Sequence, residues 1–451
     1  MSNATNYQHS DYPNPSPIKW EEFDHPEDEL KTCSSYAATI TFENGQTYHG
    51  ERIIHVDAIR NNLQSHYGYW LQRSLFEIEY GALWQAQRLE CIISSPDQAP
   101  IWRPVGPSLR IKVMELIRLA EEGESQFRPS RELSALAHIQ KNLTTANSQD
   151  GLQNSLEQKI VTHIEALCDD WLKYYVFPEF QNDFLGMDVA HFRFNEDVAR
   201  NVVRQLITAV ESMQRFGVSH RDVCLDNIVN IYGQSVALTD FLQSIKVPYE
   251  NGRRCLIHYD GRSGHPIYCA PEIAAGDENS SYDGHAVDVW SLGVLIFVLV
   301  AGIPPWQFAH DHHDRAFYHI SRGSLAEVIA NSRFEMSSVL VDLLQNMFHR
   351  DPRQRLSLQQ VKSHPWIEFS LELDPLEVFE EIAGVDGSLR LGDSMELIGQ
   401  DEINEASLRL GDSIDMLQEA LDLDLESSLN IVQGGFDSLE LIEGIAMDEN
   451  I

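Results

Sequence analysis

His220-Arg221-Asp222-Val223-Cys224-Leu225-Asp226-Asn227, followed thirteen residues later by Asp240-Phe241-Leu242, sets two carboxylates and one amide at a spacing suited to metal-assisted phosphoryl transfer. Such chemistry needs one carboxylate to receive and orient a hydroxyl. It needs a second to hold a divalent cation against phosphate oxygens, and an amide oxygen to complete the cation's shell. Asp222, Asp240 and Asn227 fit these three jobs in turn.

Three further stretches follow in order: Ala270-Pro271-Glu272, then Asp288-Val289-Trp290-Ser291-Leu292-Gly293 opening an apolar run, then Asp351-Pro352-Arg353-Gln354-Arg355. Together the five resemble the catalytic loop, metal-binding motif and larger-lobe signatures of the protein kinases, over roughly residues 220–366. The resemblance implies an α+β, bilobal protein-kinase-like fold with a β-rich smaller lobe, a mainly helical larger lobe and, here, an acidic C-terminal tail. It implies ATP and Mg²⁺ as cofactors, Asn227 and Asp240 as metal ligands, and an ion pair between Glu272 and Arg355 that pins the substrate-side loop.

Upstream, Leu109-Arg110-Ile111-Lys112-Val113 alternates as a strand with one apolar face. It resembles the family's phosphate-pairing strand, with Lys112 as its lysine. Ser130-Arg131-Glu132-Leu133-Ser134-Ala135-Leu136 reads as a helix with Ser130 as its cap and Leu133 and Leu136 facing inward, which makes Glu132 the carboxylate that orients Lys112. The catalytic set implied is therefore Asp222, Lys112, Glu132, Asn227 and Asp240. Tyr174-Tyr175-Val176-Phe177-Pro178-Glu179-Phe180 resembles the strand leading to the hinge between lobes. Phe177 and Glu179 are expected beside the nucleotide there, with Ile111 and Val176 in the apolar wall of its pocket. The alternative for that stretch is a buried strand ending at Pro178. The best match to the glycine-rich phosphate loop is Glu79-Tyr80-Gly81-Ala82-Leu83-Trp84-Gln85-Ala86, which keeps Gly81 alone. The cofactor contacts implied are Gly81, Lys112, Phe177, Glu179 and Asp240.

Four departures from the family pattern carry physical meaning. The phosphate loop lacks two of its three glycines, which allow close backbone approach to phosphates. Cys224 stands where serine/threonine kinases carry a lysine, and a neutral thiol cannot supply that field. His265 replaces a threonine that touches the catalytic carboxylate, so either His265 partners Asp222 in a rearranged network or the demand for fast catalysis has lapsed. Leu242 replaces a glycine after Asp240 and should stiffen the segment without removing the ligand.

At 451 residues, 43% hydrophobic and 23% charged, the chain is long enough for two packed lobes and an appendage. Residues 1–35 read as a flexible leader without a secretory signal, 36–180 as the smaller lobe with an N-terminal elaboration over 36–70, and 181–367 as the larger lobe. Within these, Ala38-Thr39-Ile40-Thr41-Phe42 reads as a strand before an Asn44-Gly45 turn. Residues 140–156 read as an exposed insertion, and the stretch from Asn195 begins a long helix with Val198, Val202, Leu206 and Val210 on one face. The apolar run at 292–299 is too short to span a membrane. The six cysteines form no Cys-x-x-Cys pair, so no structural zinc site is implied and a reducing setting fits best.

Residues 368–451 read as an acidic, partly repetitive, disordered tail with 23 Asp or Glu against Arg390 and Arg409, within a chain of formal net charge −36. Phosphate backbones and anionic membranes would be repelled, which argues against nucleic acid as a partner. Ser388-Leu389-Arg390-Leu391-Gly392-Asp393-Ser394 returns as Ser407-Leu408-Arg409-Leu410-Gly411-Asp412-Ser413. The repeat points to leucine-anchored partner binding or autoregulation, against a merely solubilising tail.

The function implied is an ATP- and Mg²⁺-dependent transfer of the γ-phosphoryl group to serine or threonine of a protein substrate, in an intracellular setting, cytoplasmic or nuclear. The alternative is a pseudokinase scaffold or allosteric regulator that works through a protein signalling partner. A small-molecule phosphotransferase of related fold is a third, more distant reading.

Overall fold

The computed structural model describes residues 14–18, 23, 30–60, 63–78, 80–95, 98–116, 129–144, 157–180, 194–231, 235–277, 279–310, 314–332 and 335–369. The tail repeat and residues 145–156 of the expected insertion lie outside the described residues.

Strand β1 (Asn14–Ile18) is followed by β2 (Leu30–Thr32), β3 (Ser34–Phe42), β4 (Thr47–Arg60), β5 (Leu63–Ile78), β6 (Gly81–Ser95) and β7 (Gln98–Glu115). Helix α1 (Pro129–Thr144) then precedes β8 (Glu165–Cys168) and β9 (Leu172–Pro178). One eight-stranded sheet runs β2-β8-β9-β7-β3-β4-β5-β6, and a further β6–β7 pairing closes β3 to β7 into a ring. Alternation in β3 and β4 sends Ile40, Phe42 and Ile53 inward, where they meet Leu89 and Trp102 in a small core of their own. At the β3–β4 turn the Asn44 side chain accepts the Gln46 N–H at 2.9 Å and Gly45 has φ 86°. The Asn-Gly signal was thus legible for the reason given.

Long strands let one hairpin serve two cores. The first half of β7 closes the ring; a bulge at Val105 to Pro107, in which the Val105 and Gly106 carbonyls receive the Gln87 amide, then redirects the strand so that its last residues pair with β9. Two further cores flank this second part. Ile54, Val56, Tyr67, Tyr69, Ile111, Val113, Tyr174 and Val176 lie on one face, and Leu133, Leu136, Ile139, Tyr175 and Phe177 join the main core on the other.

The expected cap at Ser130 is not where α1 begins: the helix is already formed at Pro129, so Ser130 sits in its first turn and its carbonyl accepts the Ser134 hydroxyl at 2.7 Å. Proline at the first helical position costs no hydrogen bond, since that N–H would have no partner in the helix.

The larger lobe is mainly helical. Helix α2 (Glu196–Arg215) starts at Asn195, whose side chain accepts the N–H groups of Asp197 and Val198, and buries Val198, Val202, Leu206 and Val210. Short strands β10 (Val218–Ser219), β11 (Ile228–Ile231), β12 (Ser235–Leu238) and β13 (Ile245–Lys246) carry the catalytic-loop region, followed by β14 (Tyr249–Glu250) and β15 (Arg253–His258). Then come α3 (Pro271–Ala274), β16 (Ser281–Tyr282) and α4 (Gly284–Ala301). Helices α5 (Arg315–Ile320), α6 (Leu325–Asn331), α7 (Ser338–Met347), α8 (Leu358–Lys362) and α9 (Pro365–Glu368) complete the lobe. Helix α4 is apolar on every side because it is buried on every side, against α2 and α7.

Parts of residues 1–35 take defined places. Strand β1 pairs with β15 of the larger lobe, Phe23 is buried in the main core, and β2 pairs with β8. Lys31 reaches Glu165 at 2.7 Å, a carboxylate that also receives the hydroxyls of Tyr67 and Tyr69.

Candidate functional site

Alternation along β7 places Lys112 on the face opposite Ile111, beneath which α1 presents Glu132. The Lys112 ammonium donates to Glu132 Oε2 at 2.8 Å and stands 3.6 Å from Asp240 Oδ1. Burial opposes charge on both partners, yet the carboxylates of Asp240 and Glu132 outweigh it at Lys112 and raise its pKa, so the lysine is held cationic.

A cavity of about 230 Å³ opens at this pair, lined by Phe76, Ile78, Leu83, Phe177, Phe180, Asp226, Asn227, Thr239 and Asp240 besides Lys112 and Glu132. Of the expected wall residues, Ile111 and Val176 are not there. Both point to the other face of the sheet, into the core shared with Ile54 and Tyr69. The reason is parity: once Lys112 and Phe177 face the cavity, their strand neighbours must face away. Phe76, Ile78, Leu83 and Phe180 form the apolar wall instead. Glu179 is not among the lining residues and lies 3.7 Å from the buried Arg110 guanidinium.

Gly81 also lies outside the lining. Ile78 pairs with Gly81 across the β5–β6 hairpin, leaving two residues for the turn, and the second of these, Tyr80, is buried. A Cβ at Gly81 would come within 1.9 Å of the Val113 carbonyl oxygen. Close approach of β6 to β7 thus explains this glycine without any phosphate.

On the opposite side Asp222 follows Arg221, which takes φ 65°. The backbone N–H groups of His220 and Arg221 donate to Asp288 at the start of α4, at 2.9 and 2.8 Å. The Arg221 guanidinium is buried and donates to both carboxylate oxygens of Asp260, to Ser263 and to the Tyr282 hydroxyl. Asp222 Oδ2 receives the Asn227 amide at 2.9 Å, and Oδ1 receives the backbone N–H of His265 at the same distance. Burial pushes the Asp222 carboxyl up, while these two donors pull it back. His265 therefore does partner Asp222, but through its backbone; its exposed ring packs edge-on to Tyr268. Gly264 has φ 77°, and a Cβ there would meet the Arg221 carbonyl oxygen at 2.3 Å, so the glycine before His265 lets this approach happen.

Asn227 also donates to the Asp222 carbonyl at 2.8 Å, which commits its NH₂ group and leaves the amide oxygen as the atom suited to a cation. Asp240 takes φ 60° and accepts the Leu242 N–H. The His220 ring packs against Phe241 at 4.7 Å and bonds the Thr239 carbonyl, which ties the 220–227 loop to the segment that carries Asp240. Cys224 is buried, its thiol pushed well up by burial and then by Asp222 and Asp226, and so supplies no charge. Beyond, Arg355 meets Glu272 with two bonds of 2.8 and 2.9 Å.

The spacing in sequence thus brings Lys112, Glu132, Asn227 and Asp240 to one cavity and Asp222 beside it. Sequence reasoning missed Asp226, which lines the cavity although it sits inside the quoted loop, and Asp260, which no motif marks.

Residues 135–367 match the model of the protein kinase domain. The SNF-related serine/threonine-protein kinase of Rattus norvegicus is 36% identical over 175 residues, 39% of this chain and 21% of that protein. Serine/threonine-protein kinase RAD53 of Saccharomyces cerevisiae is 26% identical over 309 residues, 64% of this chain and 36% of that protein. Aurora kinase of the same yeast is 30% identical over 218 residues, 48% of this chain and 55% of that protein. The chain spans only about a fifth of the length of the SNF-related relatives. The match of the domain over more than half of the chain, together with the ordered loop, cavity and ion pairs, shows that this protein belongs to the protein kinase domain family.

Proposed function

We propose that the chain is an ATP- and Mg²⁺-dependent protein kinase that transfers the γ-phosphoryl group to serine or threonine of a protein substrate. The observation that carries this reading is Lys112 held cationic between Glu132 and Asp240 at the mouth of a cavity that Asn227 and Asp226 also line. The cluster carries one positive charge against the two carboxylates of Glu132 and Asp240, so a polyphosphate fits beside Lys112 when it arrives with a divalent cation that Asp240 can hold.

In this reading Lys112 binds phosphate oxygens and Glu132 fixes the direction of the ammonium. Asp240, Asn227 and Asp226 form an oxygen donor set suited to Mg²⁺. Mg²⁺ bound with ATP supplies neutralisation of phosphate charge and the transferable group. Asp222, whose oxygens are already aimed by the Asn227 amide and the His265 N–H, orients the incoming hydroxyl and receives its proton. Six free cysteines support a reducing, intracellular setting, cytoplasmic or nuclear. The acidic tail is read as an interaction or autoregulatory segment.

A second reading, a pseudokinase with weak or no transfer, draws on Tyr80, buried beside Gly81 where a phosphate-covering loop would need open backbone donors, and on the uncharged Cys224. Transfer of radiolabelled phosphate by pure protein to generic substrates, compared with Asp222→Asn, decides between them. Magnesium-dependent transfer lost in the variant supports the enzyme. Equal background from both supports the regulator.

A further inference from the structure

Helix α1 meets both lobes through polar side chains. Near its start Glu132 accepts from Lys112 of the smaller lobe at 2.8 Å. Six residues later, about 9 Å along the axis at roughly 1.5 Å per residue, His138 reaches the larger lobe. Its Nε2 lies 2.9 Å from the carbonyl oxygen of Phe216. A carbonyl oxygen only accepts, so this nitrogen carries the proton and donates.

Phe216 stands at the root of the candidate site. It closes α2, and the next residue, Gly217, takes φ 69° and turns the chain into β10, which ends at the residue before His220. The Gly217 carbonyl receives the N–H of Val247 at 2.7 Å, while Val218 and Ser219 pair with Lys246 and Ile245 of β13, the strand entered soon after Asp240. A grip on Phe216 is thus a grip on the segments that carry Asp222 and Asp240.

The neighbours of His138 support the same attachment. Two residues on, Gln140 donates to the His163 carbonyl at 2.6 Å. The chain just before His163 is bonded in turn to β12 of the larger lobe, with Val161 N–H on the Leu238 carbonyl and Leu238 N–H on the Lys159 carbonyl, both at 2.9 Å. The buried ring of Phe23 packs 5.4 Å from the imidazole. Leu133, Leu136 and Ile139 bury the inner face of α1 in the main core, but apolar burial is non-directional and sets no exact position along the axis. Hydrogen bonds, which need both distance and angle, do set one.

We infer that His138 is a positioning residue: by donating to the Phe216 carbonyl it fixes α1 on the larger lobe at the register in which Glu132 meets Lys112. The helix then acts as a rigid lever between the lobes. Approach of the lobes and formation of the Lys112–Glu132 pair become one event rather than two. This role rests on the geometry of α1 and stands whether or not the chain transfers phosphate.

The test is acylation of Lys112 by acetic anhydride in the full-length protein, read by peptide mass spectrometry against the half-exposed Lys362 as internal reference. The Lys112 amine reacts only after it loses a proton and leaves Glu132, so its rate reports how often α1 lets go. His138→Leu keeps bulk beside Phe23 and removes the donor; His138→Gln restores an N–H of similar reach. His138→Leu should raise the rate about fivefold or more, the order expected when one hydrogen bond no longer opposes a local opening, and His138→Gln should bring it back near wild type. Hydrogen exchange in the β11–β12 hairpin should be unchanged in both. No rise in His138→Leu, or a rise that His138→Gln does not reduce, would overturn the assignment. A rise accompanied by faster exchange in β11 and β12 would overturn it as well, since His138 would then support the whole fold. None of these readouts involves phosphate transfer, so failure here leaves the kinase reading standing, and absence of transfer leaves this role standing.

Discussion

The two walls of the cleft hold their charges in opposite ways. On the Lys112 side a cation is buried between two carboxylates, with Glu132 only 2% exposed. On the Asp222 side the carboxylate is held by neutral donors, an amide and a backbone N–H, and the nearby position that could carry a cation is a buried thiol. The first arrangement, net negative, suits a phosphate that brings a divalent cation with it; the second aims a carboxylate but adds no positive field. In the proposed kinase reading, phosphate binding by the first wall and transfer by the second are therefore separable by mutation.

The largest effect expected is on Asp222. Asp222→Asn should lower phosphoryl transfer by about 10²–10⁴-fold, the usual worth of a positioned base, while magnesium–nucleotide binding measured by thermal shift stays near wild type. A parallel loss of binding would join the two halves again. Next, Lys112→Met should remove the nucleotide-dependent thermal shift and lower the unfolding free energy by about 2 kcal/mol in denaturant titration. That is less than the 3–5 kcal/mol typical of a broken buried pair, because methionine refills the volume and Glu132 can take up a proton.

Cys224→Lys should sharpen the contrast from the other direction. Putting a cation beside Asp222 should raise transfer by about tenfold, about 1.4 kcal/mol in barrier, with His265→Thr coupled to it in a double-mutant cycle. An unchanged or lower rate in all three variants would mean that the neutral arrangement is the working one.

The smallest effect is on pH dependence. His220 and His285 are buried in the larger lobe, and burial lowers both to about 4. Each stays neutral in the fold while the unfolded chain takes up a proton below about pH 6.5, so their stabilisation is complete above pH 6.5 and lost as pH falls toward 4. Asp288, raised by burial to about 7, works in the opposite sense over part of this range. His285→Gln should therefore reduce the acid-side slope of stability by about 1.4 kcal/mol per pH unit relative to wild type, measured by denaturant midpoints between pH 6.5 and 4.5. A slope identical to wild type would show that His285 is protonated in the fold.

Much of this was readable from local chemistry. Asp222, Asn227 and Asp240 announced themselves by spacing, the Lys112–Glu132 pair by a strand pattern followed by a helix pattern, and α2 by its Asn195 cap and repeating valines. What failed to show depended on partners distant in sequence. Ile111 and Val176 are the exception: the alternation that points Lys112 and Phe177 into the cavity already turns these neighbours to the opposite face. The role of His265 could not be read from its side chain, because the bond uses its backbone. Strand β1 was hidden in plain view: alternating prolines mark an edge strand only when the strand beside it is known.

Strand β7 is shared property. Over eighteen residues it passes from Trp102, in the small core of the N-terminal ring, to Lys112 in the site, with no linker between. The ring therefore cannot be trimmed away as a detachable module, since any cut that frees it also severs the strand that carries the lysine. The two cores should melt in one cooperative step. A lesion at Ile40 or Trp102, in a core separate from the cavity, would then be felt as a loosened site.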